Sequence, residues 1–209
     1  MQFNKHTKLE GLHAPFSASQ SSWLRYDDNK IIDSYMTKKA KEMGTIYHLW
    51  AKQTIDLGIK QPRSDKTLYK YVNDAIGFQM STEVVLYYSP RSFGTADAIS
   101  FRNNKLRIHD LKTGKVGKIE MHAEQLLIYA ALFCLEYGKK PGDIDIELRV
   151  YKNDDVLTIN PTAEDILPIM DHIVHIKNVV FLFSDNSSCI FGKYSLLVLT
   201  YLHFNRKSI

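Results

Sequence analysis

Two runs in the middle of the chain, residues 95–101 and 105–112, alternate apolar and polar side chains, and period two is the mark of a half-buried β-strand. The polar pair Asn103-Asn104 between them suits a two-residue hairpin turn. Residues 82–88, 144–151 and 156–159 predict further strands, being rich in β-branched and aromatic residues and bounded by turn signals such as Ser89-Pro90 and Asp154-Asp155. A different period governs residues 32–57. There Met36, Met43, Tyr47, Trp50 and Leu57 recur at helical spacing and predict a long amphipathic helix docked on the core. Shorter helices are expected to begin at residues 17–19, to cover 65–78 and 120–137, and to run from Pro161-Thr162 to about residue 178. The helix at 120–137 carries Leu126, Ala130, Phe133 and Tyr137 in one stripe with Leu127, Ala131 and Cys134 beside it, which makes it central.

The hairpin turn sets a register. With Arg102 facing Lys105, counting back along both strands places Asp97 opposite Asp110, their Cβ atoms roughly 5 Å apart. Alternation puts Asp97 on the face of Ile99 and Phe101, and puts Asp110 and Lys112 on the face of Leu106 and Ile108. The other face takes Ser100, Arg102, Lys105, Arg107 and His109, where ordinary surface charge belongs. A buried, unpaired carboxylate costs several kcal/mol or takes up a proton, and a divalent cation shared by the two acids removes that cost. Lys112 adds a positive charge or a proton donor beside it. The alternative is a buried Asp-Lys ion pair at the end of a hairpin.

Other residues add to this picture in smaller measure. His48 lies four residues after Gly44 on one helix face, an arrangement that suits either a metal ligand below a close approach or a structural histidine. Glu83, on the strand at 82–88, is an additional acid for which a structural or outer-shell role is expected. Gln125 and Tyr129, four apart, form either a polar edge on a buried helix or a hydrogen-bonding pair presented to substrate or to Lys112. His172 and His175 lack a neighbouring acid pattern and read as surface or packing residues. Gly114 and Gly117 do not fit a phosphate-binding loop, so no nucleotide is expected.

At 209 residues with 44% apolar content, the chain is sufficient for one domain, its core at about 16–160 and a region of unassigned role at 161–209. A net charge of +4 is compatible with a polyanionic partner without identifying one. The first residues lack the apolar centre of a signal peptide, which predicts a cytoplasmic protein. Cys134 and Cys189 support neither a disulfide framework nor a cysteine-built zinc or iron–sulfur site, and both are expected as reduced core residues. Residues 179–209 are strongly apolar but are broken by Asp185, Asn186 and Lys193, and neither run reaches the ~20 residues of a membrane span. They predict a buried element or an interface, with no membrane contact.

The succession GTIYH (Gly44 to His48), GTAD (Gly94 to Asp97), DLK (Asp110 to Lys112) and QLLIY (Gln125 to Tyr129) resembles the RecB-like and Cas4-like branch of the PD-(D/E)XK nuclease superfamily. The opening Phe16-Ser17-Ala18-Ser19 is similar to that of phage-associated members. This resemblance, over about residues 16–138, implies a restriction-endonuclease-like fold of the α/β (α+β) class, with a mixed central β-sheet flanked by helices. It implies Mg²⁺ or Mn²⁺ held by His48, Asp97, Asp110 and the backbone carbonyl of Leu111. Lys112 would orient or deprotonate the attacking water and steady the phosphate charge, and Gln125 and Tyr129 would place the DNA strand or Lys112. The implied activity is a metal-dependent deoxyribonuclease, of exonuclease type, in recombination, repair or phage DNA processing, located in the host cytoplasm if phage-encoded. An endonuclease of the same fold and a catalytically silent DNA-binding module are the alternatives. DNA is the implied partner, held by basic residues expected near the site, Arg91, Arg102, Lys115 and Lys118. A recombinase or single-strand-binding partner and self-association are compatible with it. Two cysteines cannot build the four-cysteine iron–sulfur cluster that some relatives carry, and no helicase motif is present.

Overall fold

The structure, a computed structural model, describes residues 5, 7–9, 14–114 and 117–184. Within them the order is α1 (Asp28–Asp56), α2 (Thr67–Gly77), β1 (Ser81–Ser89), β2 (Ser92–Arg102), β3 (Lys105–Lys112), α3 (Ala123–Glu136), β4 (Asp145–Lys152), β5 (Asp155–Ile159) and α4 (Ala163–Ser184). Short 3-10 turns precede α1, at Ser21–Arg25, and α3, at Ile119–His122. Lys115, Cys189 and all of residues 185–209 lie outside the described residues.

The β2–β3 hairpin has the register that its turn dictates, Arg102 facing Lys105 and Ala98 facing His109. Asn103 and Asn104 have φ of 50° and 58°, the two left-handed residues that a tight hairpin turn needs to match the twist of its strands. The five strands lie in chain order, β1 to β5, and β3 with β4 is the one parallel pair. Parallel neighbours need a crossover, and α3 supplies it. The result is a mixed sheet flanked by helices, in the α+β class and of the architecture expected from the resemblance.

Each sheet face packs a different helix set. Ile99, Leu106, Ile108, Leu148 and Val150 meet Leu126, Ala130 and Phe133 of α3 and Ile166 and Ile173 of α4. Sandwiched between sheet and α4, α3 is apolar almost all round, as a buried helix must be. On the opposite face Ala98, Leu111 and Tyr151 meet Tyr71, Val72 and Ala75 of α2 and Ala51 and Ile55 of α1.

Three expectations are corrected here. First, α1 docks only through its C-terminal part, where Gly44, Ala51, Thr54 and Ile55 are buried; Met36 is 56% exposed, and Met43 and Tyr47 are exposed too. Its 29 residues extend about 43 Å at ~1.5 Å per residue, and the first half runs past the described elements of the sheet and α2. Second, the polar face of β3 is not a solvent face. Arg107 and Arg149 both stand over the Phe78 ring, at 4.5 and 5.1 Å, and both pair with Glu147. His109 is fully enclosed, and burial pushes it down to about 3, so it stays neutral. Third, the serines at 17–19 do not cap a helix. Residues Ser21–Arg25 form a 3-10 turn, and the Trp23 indole N–H donates to the Ser17 carbonyl at 2.8 Å.

Cys134 is a buried free thiol that desolvation pushes up to about 11, which leaves it inert. Among the described residues no helix is long and apolar enough to cross a membrane.

Candidate active site

The β2–β3 ladder ends at the Ala98–His109 pair, and Asp97 and Asp110, the next residue on each strand, lie near enough for their carboxylates to repel. The Leu111 N–H donates to Asp97 Oδ2 at 3.0 Å, so a backbone donor fixes the carboxylate. In an extended strand the N–H and C=O of one residue leave on the same side, so the Leu111 carbonyl, expected as a ligand, faces this edge as well. From α1, His48 reaches the same carboxylate, its Nδ1 3.4 Å from Asp97 Oδ2. Gly44, one turn earlier, makes that approach feasible. A Cβ there would stand 2.9 Å from Thr113 Oγ1, so a larger residue would require that side chain or α1 itself to shift.

The third member of this cluster is Glu83 of β1. Ligand atoms of His48, Glu83 and Asp97 all lie within 4.8 Å of one another. Glu83 holds φ at 51° in the middle of a strand. A left-handed conformation at a non-glycine residue costs on the order of 1–3 kcal/mol and concentrates at functional sites. Glu83, expected as an additional acid with a structural or outer role, is exposed and sets its carboxylate close to His48 and Asp97. Asp110 stands apart from that triad. It is 2% exposed, its Oδ1 accepts from Lys112 Nζ at 3.0 Å, and its Oδ2 is buried with no hydrogen-bond partner.

Lys112 in turn donates to Gln125 Oε1 at 2.9 Å, and Gln125 Nε2 donates to the Tyr129 hydroxyl at 2.8 Å. The pair on α3 is thus directed at Lys112. Gly94 completes the chain, since a Cβ at that position would stand 2.7 Å from Tyr129 Cε1. Gly94→Ala must therefore displace the ring. The expected result is a loss of about 1–3 kcal/mol of stability by overpacking, with a fall in any activity that depends on Lys112. Thermal unfolding of Gly94→Ala beside Tyr129→Phe separates the two effects, because the phenylalanine variant removes the hydroxyl and keeps the ring.

Burial and the neighbouring Asp110 carboxylate raise Asp97 to about 6, against the lowering effect of His48, the Leu111 N–H and Lys112. Two carboxylates repelling in a desolvated place are an unfavourable arrangement without a cation. His122 shares this electrostatic field. Partial burial and the ammonium groups of Lys112 and Lys152 hold it below the usual imidazole range, and its Nε2 is buried and unpaired.

The structure separates several residues that were expected together. Arg102 lies at the hairpin turn and Arg91 in the β1–β2 connection, so they flank opposite ends of β2. Each is five or six residues from Asp97, roughly 17–20 Å along a strand. Lys118 is exposed just before Ile119–His122. Among the described residues, Lys41 and Lys52 of α1 line the cleft of about 830 Å³ around His48, Glu83 and Asp97. Their spacing to His48, seven and four residues, is the helical-face signal that could have found them. His172 and His175 are exposed on α4, away from the acids.

Residues 79–145 match a family model described as a protein of unknown function, DUF2800. The match runs from the start of β1 through α3 and includes Glu83, Asp97, Asp110, Lys112, Gln125 and Tyr129, but not His48. No solved structure matches the chain.

Proposed function

We propose that the chain is a divalent-cation-dependent deoxyribonuclease, the activity implied by the resemblance. The observation that carries this reading is the convergence of His48, Glu83 and Asp97 from three elements onto one point, beside a buried Asp110 oxygen that no protein group satisfies. An ion pair with Lys112 accounts for one oxygen of Asp110 and leaves the other unexplained. The donor set, one imidazole with carboxylates and a strand carbonyl, fits Mg²⁺ or Mn²⁺ better than a soft metal. A cation bound there supplies Lewis-acid stabilisation of a phosphate and a water of lowered pKa.

The protein's own groups do the rest. Asp97 is oriented by the Leu111 N–H, so the acid cluster is set before substrate arrives. Lys112 is held between Asp110 and Gln125 with a third N–H direction left for a phosphate oxygen or a water, where it stabilises charge or transfers a proton. Tyr129 fixes Gln125, and Gly94 fixes Tyr129 by close packing.

A second reading, a DNA-binding module whose acids are structural, draws on the Asp110–Lys112 pair. The purified protein, incubated with linear or covalently closed circular DNA in Mg²⁺, Mn²⁺ or chelator, decides between them. Cation-dependent loss of linear DNA alone indicates an exonuclease, and loss of both an endonuclease. DNA binding without cleavage under any cation indicates the silent module.

A further inference from the structure

Arg91 and Arg102, expected beside the acids, lie at the two ends of β2, and the cleft at the acids continues along α1. On α1, Lys30, Ser34, Thr37, Lys41, Thr45 and His48 recur every three or four residues and so form one face. Two clefts follow that face and share Thr37 and Lys41. One, of about 830 Å³, contains His48, Glu83 and Asp97; the other, of about 590 Å³, is closed on its far side by residues 14–20. Together they make a single trough. From Lys30 to His48 it follows the helix for about 27 Å at ~1.5 Å per residue.

The opposing wall is a built feature. The Trp23 indole N–H ties down Ser17, and the Phe16 and Trp23 rings pack edge to face at 6.2 Å. Tyr26 lines the far end, with Lys30 Nζ 5.9 Å from its ring centroid. Charge is graded along the trough. Lys30, Lys38 and Lys41 line it against the single carboxylate of Asp33, and Lys52, paired with Asp56, stands at the inner end with Glu83 and Asp97. A polyanion entering along the lysines is thereby led to the acids, where a cation is needed to receive it.

We propose that this trough binds one strand of DNA, its backbone running along α1 from Tyr26 and Lys30 to the acid cluster. The proposal deepens the nuclease reading, on which it rests for what happens at the inner end. A cationic groove with an aromatic ring at its mouth is the combination that holds single strands without reading sequence. In the outer cleft residues 14–20 stand opposite α1, a walled channel that suits a single backbone rather than a duplex laid across an open face. Lys30 and Lys41 are exposed and away from the core, so their removal does not threaten the fold.

The test is fluorescence anisotropy of a long labelled oligothymidylate and of a blunt duplex, in chelator, over a range of salt. For Lys30→Ala/Lys41→Ala the expected result is weaker binding of the single strand and a salt dependence shallower by about 1.4, from ~0.7 per phosphate contact. The duplex should bind less well to the unmodified protein and respond little to the substitutions. Equal affinity and slope in the variant, or a duplex bound as tightly as the single strand, would overturn the proposal. Should the slope change appear while the unmodified protein cleaves nothing in Mg²⁺ or Mn²⁺, the trough stands and the nuclease reading falls.

Discussion

Asp110→Asn is expected to lower cation-dependent DNA hydrolysis by at least ~10²-fold, the range for removing one group that acts on transition-state charge, with little loss of stability. The asparagine is isosteric, and it removes a buried charge whose second oxygen has no partner. Lys112 needs a different design. Lys112→Ala would strand a 2% exposed carboxylate, and breaking a buried pair from one side costs about 3–5 kcal/mol, so inactivity alone would be ambiguous. The double variant Asp110→Asn/Lys112→Met removes both charges and keeps the volume. If the pair is catalytic, the double variant unfolds at about the same temperature as the unmodified protein and does not cleave. Retention of cleavage within a few-fold in Asp110→Asn would defeat the assigned roles.

The second large effect concerns the cation. At neutral pH, Mg²⁺ or Mn²⁺ at about 100 times its dissociation constant should stabilise the folded chain by ~2.7 kcal/mol, a rise in melting temperature of roughly 5–10 °C for a domain of this size. The pH dependence follows from Asp97. Its folded value, about 6, lies above the ordinary 3.8, so without cation the folded state binds the extra proton. The contribution is fully present below about pH 4 and is lost as pH rises through 6, a difference on the order of 2–3 kcal/mol. Protonation of Asp97 competes with the cation, so the thermal shift should be large at pH 8 and small at pH 5. Asp97→Asn keeps an acceptor for the Leu111 N–H and carries no charge. In chelator at pH 8 it should therefore be at least as stable as the unmodified protein, and it should no longer respond to Mg²⁺. Scanning calorimetry at the two pH values measures this, and a destabilised, cation-responsive Asp97→Asn would show that the acid is structural.

How much of this could be read along the chain varied with the distance over which each feature is decided. The hairpin was legible because a two-residue Asn-Asn turn couples register to sequence, and counting along it reproduces the pairing as far as Ala98 and His109. The direction of Gln125 toward Lys112 was legible only as one of two options, since helix spacing tells which residues share a face and not what faces them. The proximity of Glu83 to His48 and Asp97 was not legible, because it goes with a left-handed φ at one strand position, which neither propensity nor alternation signals. Arg91 and Arg102 were misplaced for a related reason. Proximity in sequence to Asp97 was taken for proximity in space, whereas a strand carries its neighbours away at ~3.4 Å per residue.

From the sequence alone came the local decisions: strand and helix periods and the turn chemistry at Asn103-Asn104. Those are fixed within a few residues by backbone sterics and side-chain alternation. Tertiary structure alone decided which elements share an edge, bringing His48 of α1 and Glu83 of β1 to Asp97, leaving Met36 in solvent, and aligning the lysines of α1 with the segment at 14–20. Such meetings depend on the packing of whole helices against a twisted sheet, a long-range outcome that no window of sequence contains.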